Sequence, residues 1–158
     1  MNSGIDRQVN ILCRQFQIYV NNALKPFGVS SSECPVLMGA AIEEGVSQEE
    51  LTRRIRIDKS ATARALQSLE KKGFIERRED PEDRRVKRVY LTADGRLIAE
   101  KMRQVIGEWT RSITCGQDEE TIRLVENTLR QMNSRALSLN GLDERALAER
   151  AAASCGSS

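Results

Sequence analysis

The sequence contains no histidine. Imidazole is the commonest general base near neutral pH, so Ser-His and Cys-His nucleophile arrangements are excluded and an enzyme is disfavoured from the start. The four cysteines, Cys13, Cys34, Cys115 and Cys155, are widely scattered and form no CxxC pair. Metal-binding thiolates normally arrive in closely spaced pairs, so no zinc site and no cofactor is expected. No apolar run approaches the roughly 18 residues of a spanning helix. The stretch "MNSGIDRQVNILCRQ" places Asp6, Arg7, Gln8 and Asn10 where an export signal needs an unbroken apolar core. The expectation is a cytoplasmic protein with no membrane contact. Charge of either sign is also in short excess, since 25 Lys/Arg face 23 Asp/Glu for a net +2.

What is present suffices for one domain. With 158 residues, 39% hydrophobic and 30% charged, the chain can bury a core yet is too short for two independent units. Ile5, Val9, Leu12, Phe16, Tyr19 and Ala23 recur at steps of three and four, which predicts an amphipathic helix ended by "KPFG" at 25–28. In "SSSECPVLMGAAI", Ser30 and Glu33 have capping-box spacing and Pro35 suits a first helical turn. Gly45 closes this segment. Ser47 and Glu50 repeat the box, with Leu51 and Ile55 as a short apolar face. Asp58 can cap a further helix only three residues after Ile55, so the two helices must cross steeply. On the second of them Thr62, Ala65, Leu66 and Leu69 form the inward stripe. Lys59, Ser60, Ala61, Arg64, Gln67, Ser68 and Lys71 face out, and Gly73 ends the helix.

"FIERRED" and "RRVKRVYLT" read as two short strands around an Asp-Pro-Glu-Asp turn, a β-hairpin. Thr92 caps a helix carrying Ile98, Met102, Val105, Trp109 and Ile113. Gly116 and Asp118 open another, with Ile122, Val125, Leu129, Met132, Ala136 and Leu139 in near-heptad order. Residues 141–158 predict a short helix and a frayed tail. The fold class is therefore mostly α with a small β-hairpin wing. A winged helix-turn-helix module at 30–92 is flanked by helices at 1–28 and 93–140, whose stripes suit burial against a second copy in a homodimer.

Residues 57–95, "IDKSATARALQSLEKKGFIERREDPEDRRVKRVYLTADG", closely resemble the centre of the MarR family of winged-helix transcriptional regulators. The likeness includes the Asp-x-Arg wing element, Asp83 and Arg85, and the following Leu-Thr-x-x-Gly, Leu91, Thr92 and Gly95. It departs from the family where Arg56 stands at a turn usually held by glycine. A left-handed arginine there costs on the order of 1 kcal/mol, so a variant turn is expected. Thr52 replaces a small residue, and Ala61 and Ala63 replace threonines that could have met DNA.

The resemblance implies a dimeric repressor that binds a palindromic double-stranded DNA operator and is released by a small effector, often phenolic or otherwise aromatic. Tyr19, Met38 and Trp109 are candidate lining for an effector cleft. It also assigns Arg85 to the minor groove, with Asp83 orienting its guanidinium. From the chemistry of groove binding, Lys59, Ser60 and Arg64 can reach base edges and phosphates, and Gln48 can meet a phosphate. Arg84, Lys87 and Arg88 can neutralise phosphates or pair with Glu79, Asp80 and Glu82. The charge distribution agrees: residues 47–90 hold 13 Lys/Arg against 9 Asp/Glu, a balance of +4, while the remainder stands at −2. An alternative switch is oxidation of Cys13, as in the peroxide-sensing branch of that family, although the additional tyrosines of that branch are missing, since the chain holds only Tyr19 and Tyr90. A function without a DNA target, as an enzyme or a protein-binding winged helix, is a third reading.

Overall fold

The computed structural model describes residues 4–140. The predicted short helix and tail at 141–158 lie outside the described residues. Six helices and three strands follow in the order α1 (Ile5–Leu24), α2 (Cys34–Ile42), β1 (Val46–Ser47), α3 (Gln48–Ile55), α4 (Lys59–Lys71), β2 (Ile75–Glu79), β3 (Lys87–Leu91), α5 (Ala93–Ile113) and α6 (Glu119–Leu139). A 3-10 turn, Lys25–Phe27, ends α1. The mostly helical winged architecture is as the sequence indicated.

Local chemistry starts the helices. The side chains of Ser47, Asp58, Thr92 and Asp118 each accept the backbone N–H three residues on, satisfying one of the amides that a helix start leaves unpaired. At α2 only half of the predicted box forms. The Glu33 carboxylate accepts from the Ser30 amide at 2.8 Å and from its hydroxyl at 2.9 Å, and the helix starts later, at Cys34. Glu50 likewise turns away from Ser47 and bonds Arg53 and Arg54 instead.

The wing differs from the two-strand reading in two respects. β1 adds a third antiparallel strand, giving the order β1-β3-β2, with Val46 opposite Val89 and Ser47 opposite Arg88. A two-residue strand carries too little pattern to be legible, and its partner lies some forty residues away. The second hairpin strand also starts at Lys87 rather than Arg84. Arg84, Arg85 and Val86 belong to the connecting loop, because the Val86 amide turns back onto the Asp83 carbonyl at 2.9 Å.

The core gathers Val20 and Leu24 of α1, Val36, Leu37 and Ala40 of α2, and Leu51 of α3. From α4 come Leu66 and Leu69, from the sheet Ile75, Val89 and Leu91, and from α5 Ile98, Ala99, Met102 and Val105. Thr62 is also fully buried; its hydroxyl donates to the Asp58 carbonyl, which suits the supporting place assigned to it. α6 buries nothing, and Leu124, Val125, Leu129 and Met132 stand exposed on it. Ile5, Val9 and Leu12 of α1 are exposed in the same way.

A buried ion pair ties the turn before α2 to the end of α4. Glu33, only 4% exposed, accepts from Lys72 Nζ at 2.6 and 2.8 Å. Burial pushes the Glu33 carboxyl up, but hydrogen bonds from Lys72, Ser30 and Ser68 together outweigh it and hold the group below its ordinary 4.5. Lys72→Met should therefore lower stability by about 2 kcal/mol at pH 7. That is less than a fully enclosed pair would lose, because the Lys72 side chain stays 33% exposed. A depressed carboxyl stabilises the native state above its unfolded pKa, and that contribution fades as pH falls through the native value. The gap between variant and parent should thus narrow below pH 4.5, and urea titrations from pH 7 to pH 3.5 would show it. A gap independent of pH would sink the assignment.

Candidate nucleic-acid interface

The turn between α3 and α4 depends on Arg56, whose φ of 54° and ψ of 38° are left-handed. It is the one positive-φ residue other than glycine among the described residues. The expected variant turn is therefore not formed. Arg56 takes the glycine conformation itself, at the cost of about 1 kcal/mol that a Cβ imposes there. Ile55 and Leu51 beneath it are held in the core, which fixes where α4 must begin.

α4 consequently presents Lys59, Ser60 and Arg64 to solvent beside its N-terminus while Thr62, Ala65, Leu66 and Leu69 face inward. Among the described residues, none of these three outward side chains has a hydrogen-bond or ion-pair partner. The neighbouring cations differ. Arg53 and Arg54 pair with Glu50, Lys72 with Glu33, Arg77 with Glu70 and Arg78 with Glu76. On the wing, Arg84 and Lys87 share Glu79 at 3.1 and 2.9 Å, and Arg88 engages Asp80. Lys87, ahead of Arg84, draws the Glu79 carboxyl below its usual range. Arg85 stands apart, with its guanidinium exposed and its backbone N–H donating to Asp83 Oδ1 at 3.0 Å. Asp83 thus supports the wing through the backbone of Arg85, not through the guanidinium as anticipated.

Gln48 sits half-buried at the first position of α3. Its side-chain carbonyl receives Arg77 Nη1 at 3.5 Å, and Arg77 also bonds Glu70 of α4 at 3.0 Å. The structure therefore joins Gln48 to both the wing strand and α4. Of the candidate cleft residues, Tyr19 and Trp109 meet at 5.2 Å between ring centroids, and Phe16, not anticipated in this place, joins Trp109 at 5.8 Å. Met38, half-buried, packs against the core. Cys13 is exposed and accepts weakly from the Gln17 amide at 3.7 Å. Cys34 is buried, and burial followed by the charge of Glu33 pushes its thiol up to about 11, so it behaves as a core residue.

The order of elements, with a helix pair joined by a three-residue turn and followed by a three-stranded wing, recurs in known proteins. The MarR family model matches residues 27–86. A MarR transcriptional regulator from Methanosarcina mazei Go1 is 34% identical and superposes with a TM-score of 0.76, over 85% of this chain and 97% of its own. The chain belongs to the MarR family. Among curated relatives of this MarR-family protein, the uncharacterized HTH-type transcriptional regulator YdgJ of Bacillus subtilis (strain 168) is 31% identical over 107 residues. That match spans 68% of this chain and 65% of the relative, just under two thirds of its length. A mutant MarR from E. coli, solved complexed with operator DNA, shares the fold with a TM-score of 0.73 at 24% identity over 82% of this chain and 94% of its own. These MarR-family relatives are transcriptional regulators. No described helix is long and apolar enough to cross a membrane.

Proposed function

We propose that the chain is a homodimeric, sequence-specific DNA-binding regulator, a repressor that a small aromatic or phenolic effector releases from a palindromic operator. The observation that carries this reading is the sorting of cations in the module. Most of them are spent on internal carboxylates, whereas Lys59, Arg64 and Lys71 on α4 and Arg85 at the wing tip have no acidic partner among the described residues. Unpaired cations confined to one helix and one loop are what phosphate and groove contacts need. In this reading Lys59, Ser60 and Arg64 enter the major groove, Arg85 enters the neighbouring minor groove, and Gln48, Arg84 and Lys87 touch phosphates. Residues 30–92 form the DNA-binding module, and the helices at 1–28 and 93–140 form the dimer. The Tyr19–Trp109–Phe16 cluster, where α1 meets α5, is the aromatic surface on which an effector ring can stack.

The exposed stripes of α1 and α6 support the dimer, since apolar helix faces left in water seek a partner. Light scattering should give twice the chain mass at micromolar concentration, and a duplex selected from a random library should be an imperfect palindrome with half-sites about 10 bp apart. Its binding should weaken steeply as salt rises. A monomer across that range, or retention on DNA that salt leaves unchanged, would count against the reading. Cys13 remains an alternative switch on the ground of its exposure. Full alkylation of that thiol with operator binding and effector release intact would dismiss it.

A further inference from the structure

We infer that Arg88 and Asp80 form a clamp that aims the wing, so that both act as positioning residues for operator recognition without themselves contacting DNA. The inference rests on the DNA-binding reading above. Arg88 lies on β3, the central strand, opposite Ser47 of β1 and Arg78 of β2. Its guanidinium forks: Nε donates to Asp80 Oδ2, and Nη1 donates to the Gly45 carbonyl at 2.8 Å. Gly45 belongs to the body of the module, just before β1, while Asp80 opens the wing loop.

Asp80 passes the constraint outward. It is only 6% exposed, and its second oxygen, Oδ1, accepts the N–H groups of Glu82 at 2.7 Å and Asp83 at 3.2 Å. Its own N–H donates to the Val86 carbonyl at 3.0 Å, closing the base of the loop. Asp83 then holds the Arg85 amide. An unbroken series of hydrogen bonds therefore runs from Gly45 through Arg88, Asp80 and Asp83 to the backbone of the arginine whose side chain is unengaged. A loop held this way loses little freedom on binding, whereas a pivoting one must be ordered at the expense of affinity. A planar fork holds its donors at a fixed spacing toward both acceptors; an ammonium group carries the same charge without that fixed geometry.

The charge change makes the test decisive. Asp80→Asn keeps a carbonyl oxygen for the two turn amides but sets an amide donor against Arg88 Nε, and it removes one negative charge, making the wing more positive by one unit. If the wing were a diffuse positive surface, this variant would bind all DNA more tightly. The clamp instead requires weaker binding, by about tenfold, to the duplex selected by the parent chain, with random duplex bound as well as before or better. Arg88→Lys, which keeps the charge, should fail to restore the parent affinity. The double variant should lose no more than the weaker single one, because both changes break the same connection. Fluorescence anisotropy on both duplexes reads these outcomes. Hydrogen exchange of the Glu82 and Asp83 amides without DNA gives an independent reading, and it should accelerate in both single variants while core amides keep their protection. Operator binding by Asp80→Asn at or above the parent level, or full affinity in Arg88→Lys, would overturn the clamp while leaving the regulator reading intact. Absence of salt-dependent operator binding by the parent chain would overturn both.

Discussion

Gly95→Ala should destabilise the protein by at least about 3 kcal/mol, a large share of the roughly 5–15 kcal/mol by which an ordinary domain is stable. The cause is steric and not conformational. A Cβ at Gly95 would lie 1.8 Å from the Phe74 carbonyl oxygen and 2.8 Å from its carbon. Both are backbone atoms and cannot rotate aside, and the same oxygen already accepts the Thr92 amide at 3.1 Å. Relief requires α5 to shift away from the start of β2, which would open the core at Ile75 and Ile98. Gly73→Ala is the matched control: its φ of 77° penalises a side chain, yet nothing stands within 4 Å of the new Cβ, so a loss of about 1 kcal/mol is expected. Urea unfolding of both variants checks the order. A Gly95→Ala loss no larger than that of Gly73→Ala would mean that α5 and β2 separate easily.

The second large effect is on binding. Arg85→Ala should cost roughly 1 to 3 kcal/mol on operator DNA, the range of a good groove contact, and appreciably less on random duplex. Arg84→Ala should mainly reduce the salt slope by about one, because Arg84 is 87% exposed and already shares Glu79 with Lys87. Asp83→Ala should reproduce part of the Arg85 loss through the backbone, since Asp83 holds the Arg85 amide and leaves the guanidinium alone. Salt titrations of each variant on operator and random DNA, with circular dichroism confirming the fold, distinguish the two arginines. Equal losses on both duplexes would reduce the wing to an unspecific basic surface.

Much of this architecture was legible because it is encoded within three or four residues. Ser47, Asp58, Thr92 and Asp118 cap helices by bonding an amide three positions on, and the stripe of Thr62, Ala65, Leu66 and Leu69 follows from helical periodicity. The Leu-Thr-x-x-Gly element was visible as a pattern. Its reason, the approach of Phe74 to Gly95, was not, because that contact joins segments whose spacing carries no signal.

The sequence by itself determined the order of helices, the hairpin, the excess of positive charge at 47–90 and the likeness to MarR-family regulators. Only the tertiary structure decided which cations remain available. Arg88 reaches Gly45 across 43 residues and Lys72 reaches Glu33 across 39, so their pairing depends on how β1 and α2 pack and not on neighbours in the chain. Packing also decided that Arg56 adopts a left-handed turn, since a core that seats Leu51 and Ile55 leaves α4 no other point of departure. Periodicity proposed one continuous stripe along α1 through Ile5, Val9, Leu12, Phe16, Tyr19 and Ala23, but the helix buries Val20 and Leu24, which lie beside that stripe, while Phe16, Tyr19 and Ala23 are half-buried and Ile5, Val9 and Leu12 are exposed. An apolar stripe records that a face avoids water. What covers it is settled by the surfaces that the rest of the fold brings within reach.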